Sequence, residues 1–211
     1  DTEWGRPVRD DTRLFEKIDP KAASAAGDAY REFYDDLAGR NVNLPGGADQ
    51  PTAYGDLVEA SYPFHPELIR VLDNRLGAIP NFQRARGALK LLSEVISGVW
   101  GSGKDTEILN VADIDLSADP VLTHLTIGLA REEFERVARV DLAGPASHAA
   151  AVDTHRFAGK APYATRAGTT AFIHSLEQVA TAGAGRGDWL LGTMSVGDDP
   201  AVIEEALAAL S

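Results

Sequence analysis

Cysteine is absent from the 211 residues. That excludes a disulfide framework, a thiolate metal centre and a cysteine nucleophile, and a cytoplasmic location is the expectation. Methionine occurs once, at Met194, so Asp1 is not a translation start and the chain is expected to be a piece of a longer protein. The opening DTEWGRPVRDDTR lacks the apolar core of a signal peptide. No apolar run approaches the roughly 20 residues that cross a bilayer, so no membrane is expected among the partners. Basic residues are scarce as well: 20 Lys and Arg face 32 Asp and Glu, a formal net charge of −12. Nucleic-acid affinity comes largely from Lys and Arg, so a DNA-coating surface is excluded. Disorder is excluded by a hydrophobic share of 44% and a charged share of 25%, both close to the globular average.

What is present is helical spacing. Ala29, Tyr30, Phe33, Tyr34 and Leu37 fall at helix intervals, as do Leu68, Ile69, Leu72 and Leu76, and no segment alternates like a strand. The patterns predict helices over 21–38, 66–76, 84–99, 120–139, 166–179 and 199–210, with at most a small β element after residue 100. NVNLPGGADQPT, residues 41–52, reads as a surface loop. In SYPFHPELI, Pro63 and Pro66 force extended backbone, Pro66 suits a first helical turn, and His65 between them is expected to pack or to hydrogen-bond backbone. Asp199 is a good N-cap, followed by Pro200. The polar, turn-rich residues 101–120 mark a seam, which divides the chain into units 1–105 and 106–211. The expected fold class is mainly α: a helical bundle followed by a second helical unit. The short helices and tight turns near the C-terminus suggest a helix-turn-helix, or a winged helix truncated before its β-wing.

Few residues suggest chemistry. GVWGSGKD, residues 98–105, matches the phosphate-loop pattern except at Asp105, where a hydroxyl residue is needed for Mg²⁺. A helix precedes it where a buried strand is required, so the match reads as a decoy. Arg84 and Arg86 open an apolar helix in PNFQRARGALKLL, and two guanidinium groups so placed can reach phosphate oxygens across a cleft. Surface arginines are common, and the bland reading stands beside the functional one. His148 and His155 lie seven residues apart without a third ligand at metal-site spacing. Asp198–Asp199 and Glu204–Glu205 read as capping and solvated groups. The last helix, with Glu204 and Glu205 and no basic residue, is a poor major-groove reader.

The stretch SYPFHPELIRVLDNRLGAIPNFQRARGALKLL resembles a segment of large prokaryotic AAA+ type ATPases of the class labelled domain of unknown function four hundred and ninety-nine. The shared features are the YPFHP turn, the L-x-x-L helix and the FQR-x-RG-x-L-x-LL segment. The likeness continues at DIDLSADP, VDLAGPASHAAAVD, TTAFIHSLE and GDDPAVIEEALAAL, and so spans about residues 12–210. It implies a helical lid and a following, winged-helix-like region, situated after the nucleotide-binding core. It also implies that Arg86, with Arg84 as its neighbour, is a sensor-two-like arginine for the γ-phosphate. ATP and Mg²⁺ would belong to the parent, and this chain would require no cofactor of its own. No catalytic residue and no metal site is implied within it. Implied partners are the missing ATPase core, further copies of the same chain and, through the parent only, DNA, in phage-defence or modification systems. An intact phosphate loop and the acidic pair that binds Mg²⁺ are missing, so the chain alone is expected to be inactive. Two alternatives remain: a helical protein-interaction module without a nucleotide role, and a secreted, processed helical domain.

Overall fold

The structure, a computed structural model, describes residues 19–102, 107–177 and 184–210, apart from the side chains of residues 84 and 100–102. Helix α1 (Pro20–Gly39) starts at Asp19, whose carboxylate accepts the Lys21 amide at 2.9 Å, and buries Ala26, Tyr30, Phe33, Tyr34 and Leu37. Helix α2 (Pro51–Ser61) packs back against it, which the sequence pattern did not predict. The two backbones meet at a pair of glycines. A Cβ on Gly27 would lie 2.9 Å from the Gly55 carbonyl oxygen, and one on Gly55 would lie 2.8 Å from that of Gly27.

The Tyr62–Pro63 peptide is cis. Beyond it, Phe64 and Leu109 form an isolated parallel bridge: the His65 amide donates to the Leu109 carbonyl at 2.8 Å, and the Leu109 amide to that of Pro63 at 2.9 Å. The described residues hold no strand, so no β-wing is present among them. Pro66 opens helix α3 (Pro66–Arg70) as the sequence predicts, and the coil continues through a π turn (Val71–Arg75) and 3-10 turns at Leu76–Ala78 and Pro80–Phe82. Gln83, at φ 58°, redirects the chain into helix α4 (Arg84–Ser102). Gly87 permits this re-entry, since a Cβ there would fall 1.7 Å from the Phe82 carbonyl oxygen.

Residues 120–139 do not form the single helix predicted. They divide into α5 (Asp119–Leu125), a 3-10 turn (Ile127–Leu129) and α6 (Glu133–Val137), which runs into a π turn (Ala138–Leu142). The break has a local cause. The Thr126 hydroxyl donates to the Leu122 carbonyl at 2.7 Å, Gly128 favours the helix poorly, and Ala130 turns left-handed at φ 54°. Helices α7 (His148–Arg156), α8 (Tyr163–Ser175), α9 (Arg186–Thr193) and α10 (Pro200–Ala208) complete the chain. Asp199 caps α10, accepting the Ala201 amide at 2.8 Å.

Two apolar clusters hold the helices together. One gathers Leu72, Phe82, Leu91, Leu122, Leu125 and Ile173; the other gathers Tyr34, Leu37, Val58, Trp189, Leu191 and Ile203. Each draws on residues from both sides of the seam expected near residue 105. Helix α8 serves both, through Ile173 in the first and Ala167 in the second. No helix among the described residues is long and apolar enough to cross a membrane.

Candidate functional site

The N-terminal half of α8 forms one wall of a cleft of about 780 Å³. Facing it are the segment from Glu107 to Ser117, Tyr30 on α1 and the connection from Leu142 to Ala150. Local hydrogen bonds shape each wall. Asn110 accepts the Val111 amide at 2.8 Å while Asp113 accepts the Asn110 amide at 2.9 Å, a reciprocal cap that fixes the turn carrying Asp113. The Asn110 side chain also donates to the Leu191 carbonyl at 2.8 Å, docking this turn on α9. Asp115 accepts the amide and hydroxyl of Ser117 at 2.9 and 2.6 Å. Asp153 accepts the Ala164 amide at 2.7 Å, the Thr165 amide at 3.0 Å and the Thr165 hydroxyl at 2.6 Å, and so caps the start of α8.

Arg166 lies buried in the wall. It donates to Asp198 at 3.0 Å, to the Thr193 carbonyl at 2.6 Å and to the Ser195 hydroxyl at 2.6 Å, and its Nε is buried without a partner. Asp198 also accepts the Ser195 amide at 2.8 Å and the Tyr163 hydroxyl at 3.1 Å. The guanidinium charge is thus balanced within the wall. Tyr30 is only 5% exposed. Burial holds its phenol well above the ordinary value, with Asp113, Asp198 and Glu107 adding to the rise and Arg166 opposing it. Among the described residues, the carboxylates of Glu107, Asp113 and Asp115 border the cleft, and Arg166 in its lining is paired with Asp198.

A second polar cluster lies between α3, α8 and α9. His65 is fully buried; its Nδ1 accepts the Glu67 amide at 3.1 Å, so in the neutral ring Nε2 carries the proton, 2.7 Å from the Tyr34 hydroxyl. Burial lowers its pKa to about 3. Glu67, equally buried, takes two bonds from Arg70 at 2.6 and 2.8 Å, yet burial still pushes its carboxyl above the ordinary range. Arg70 also pairs with Asp188 on α9, and Arg75 stands 3.5 Å from Glu177. His174, buried beside this network, is lowered to about 4 by desolvation and then by Arg75. The ion-paired groups join three helices, whereas both ring nitrogens of His174 are buried without a hydrogen-bond partner among the described residues, Nε2 standing 3.9 Å from the Glu67 carboxylate.

Arg86 is exposed on the first turn of α4; its amide bonds the Gln83 carbonyl at 3.2 Å, and its side chain has no partner among the described residues. Arg84 is the first residue of that helix, and its side chain lies outside the described residues. Arg86 does not border the cleft. Of GVWGSGKD, Gly98 to Ser102 are helical, and Lys104 and Asp105 lie outside the described residues. Helical amides are largely spent on the helix itself, so Gly98–Ser102 supply no phosphate cradle. His148 and His155 are exposed on α7, and no group of three or more metal-ligating side chains comes together among the described residues. Asp198 corrects the expectation of a solvated carboxylate, being the partner of Arg166, whereas Asp199 is the expected cap. Glu204 pairs with Arg186, and α9 and α10 are held together in this way.

Arg166, Tyr30 and Asp113 were not singled out from the sequence as functional. The available signals were an arginine within the small-residue run ATRAGTTA and the acidic stretch DIDLSADP. Several segments that carry the family resemblance converge on this cleft: DIDLSADP supplies Asp113 to Ser117, VDLAGPASHAAAVD supplies Leu142 to Ala150, and TTAFIHSLE supplies Thr169. No curated protein and no solved structure matches the chain. A family model described as the DUF499 second domain matches residues 11–175, a span that takes in the YPFHP turn, Arg84, Arg86 and most of the cleft. With most of its length matched in one span, the chain belongs to the DUF499 second-domain family.

Proposed function

We propose that this domain serves a larger AAA+ type ATPase as a helical lid, closing over ATP held by a nucleotide-binding core elsewhere in the parent. Arg86 supplies the sensor contact to the γ-phosphate, with Arg84 beside it. The observation that supports this reading is the placement of Arg86: exposed, without a side-chain partner among the described residues, on the first turn of a 19-residue helix. A guanidinium so placed can form charge-assisted, bidentate bonds to phosphate, and the positive end of the helix dipole favours the same ligand. ATP with Mg²⁺ supplies the transferable phosphoryl group when bound to the core, while this chain orients it and excludes water. Residues 1–105 act as the lid-like unit and residues 106–211 as the following helical unit, in which α9 and α10 take the place of a winged helix without its wing. The parent works in the cytoplasm, as a homo-oligomer, in DNA-linked defence or modification. DNA is met by other parts of it, because this chain carries a net charge of −12.

The test compares Arg86→Ala and Arg84→Ala in the full-length parent by ATPase rate and melting temperature. Losing one preorganised phosphate contact costs on the order of a hundredfold in turnover, with little change in melting. An Arg86→Ala parent that hydrolyses ATP at the original rate refutes the assignment, and an effect confined to Arg84→Ala moves the role there. A second reading, a protein-interaction module without a nucleotide role, is favoured by Leu89, which stands 69% exposed beside Arg86. In that case Leu89→Ser weakens association with the parent's other domains and Arg86→Ala leaves hydrolysis unchanged.

A further inference from the structure

We infer that His174 is a proton-operated release for the joint at which α3 holds α8 and α9: with a neutral ring the joint is closed, and a proton on the ring opens it. The inference is independent of the nucleotide reading.

Packing alone does not account for the ring. His174 is fully buried within the sequence FIHSL, and both of its nitrogens lack a hydrogen-bond partner among the described residues. An apolar side chain of similar size would fill the same space without leaving a donor and an acceptor unsatisfied. What the imidazole adds is the capacity to take up a proton.

The joint gives that proton a consequence. Glu67 Oε1 stands 3.9 Å from His174 Nε2, and it already accepts a bond from Arg70 Nη2 at 2.8 Å. The same Nη2 bonds Asp188 on α9. Arg75, on the π turn that follows α3, stands 3.5 Å from Glu177, just past α8, and 3.9 Å from Asp188. An imidazolium therefore has two courses: it takes Oε1 from Arg70, or it leaves the joint for water. Either one undoes the closed arrangement.

While the joint is closed, its surroundings oppose the proton. Burial disfavours the charged ring most and Arg75 and Arg70 repel it, against the attraction of Asp188, so its pKa is lowered to about 4. Of the other groups around the joint, the Glu67 carboxyl is pushed up by burial, and Tyr54 of α2 has a phenol kept neutral by burial. Arg131 reaches the end of α8 through the Leu176 carbonyl at 3.1 Å, and residues 178–183, QVATAG, bring no ionisable side chain. His65 differs from His174 in having both ring nitrogens bonded, to the Glu67 amide and the Tyr34 hydroxyl. In the open joint the His174 ring returns to its ordinary value of 6.5, so opening becomes easier as the pH falls below that value.

Native-state amide exchange on the 211-residue chain, corrected for the intrinsic effect of pH, tests this at residues 70–75 and 174–177, with α1 as the reference. Between about pH 7 and 5.5, protection at the joint should fall about tenfold, and His174→Leu and His174→Gln should each abolish that fall. The amides of α1 should still lose protection on acidification in both variants, because His65 is intact and its ring lies against Tyr30 and Tyr34. The inference is overturned if the variants lose protection at the joint as the parent does. It is equally overturned if the joint and α1 exchange together in the parent at both pH values, which leaves only unfolding of the whole chain, or if neither variant folds, which makes the ring a packing element.

Discussion

Two glycines of one helix should respond to the same substitution with opposite signs. Gly87 and Gly98 are both in α4, and replacing glycine by alanine in a helix interior gains about 1 kcal/mol of helix propensity where space allows. Around Gly98 space allows it, since a Cβ there meets nothing within 4 Å among the described residues. At Gly87 the same atom falls 1.7 Å from the Phe82 carbonyl oxygen and 2.8 Å from its carbonyl carbon, far inside a normal contact of about 3.5 Å. Backbone must move, and the backbone concerned carries Phe82, which is 1% exposed with its ring centroid 6.1 Å from that of His124. Overpacking of this kind costs about 1–3 kcal/mol or more, and here the upper end applies. Gly87→Ala should therefore lose a net 2 kcal/mol or so, lowering the melting temperature by about 4–8 °C at this chain length. Gly98→Ala should raise it by about 2 °C. Circular dichroism melts and urea midpoints measure both. A Gly87→Ala chain melting at or above the parent would refute the packing argument. The outcome also separates two roles within RARG, because a loss at Gly87 is a loss of fold and says nothing of Arg86 and phosphate.

The buried imidazoles make stability depend on pH. His65 and His174 are held neutral down to about 3 and about 4, while each takes up a proton near 6.5 once the chain unfolds. The unfolded chain thus binds more protons below pH 6.5, so this stability is complete above 6.5 and is lost as the pH falls towards those values. Glu67, whose proton the fold retains, opposes the loss at lower pH, so the comparison belongs between pH 7 and 5.5. A fall of about 2–3 kcal/mol in urea unfolding is expected over that interval, and a flat profile would contradict it. Arg166→Met leaves Asp198 buried and unpaired and should cost about 3–5 kcal/mol; adding Asp198→Asn should recover part of that loss, and no recovery would show that the pair is not coupled. The isolated chain should hydrolyse no ATP and bind it weakly at best, because Gly98–Ser102 are helical; micromolar binding by calorimetry would overturn this.

Features specified within a few residues were legible in the sequence. The Tyr30, Phe33, Tyr34 and Leu37 stripe defines α1, Pro66 opens α3, and Asp199 caps α10, all by local spacing or chemistry. Helix α2 escaped notice because it buries only Tyr54, Gly55 and Val58 and has no side-chain cap at its start, so tertiary contact with α1 decides its conformation. The stretch 120–139 misled because its apolar spacing persists through Thr126–Arg131, where a hydroxyl and a left-handed alanine interrupt the backbone. The cleft was illegible for a different reason. Tyr30, Asp113, Arg166 and Asp198 come from four separate segments, and only the fold shows that the Arg166 charge is already matched.

The bonds that reach from α9 into the rest of the chain bear on how the domain can be divided. The Trp189 indole donates to the Ala167 carbonyl at 3.0 Å, the Asn110 amide to the Leu191 carbonyl at 2.8 Å, and the Arg166 guanidinium to the Thr193 carbonyl at 2.6 Å. The first donor and the last two acceptors all lie beyond residue 175, where the family match stops. A chain cut at that point would uncover the apolar socket of Trp189 and release a buried arginine and a buried asparagine from their partners at one stroke. The residues that follow the matched span therefore complete the buried core, and a chain ending at residue 175 should be markedly less stable than one that includes α9 and α10.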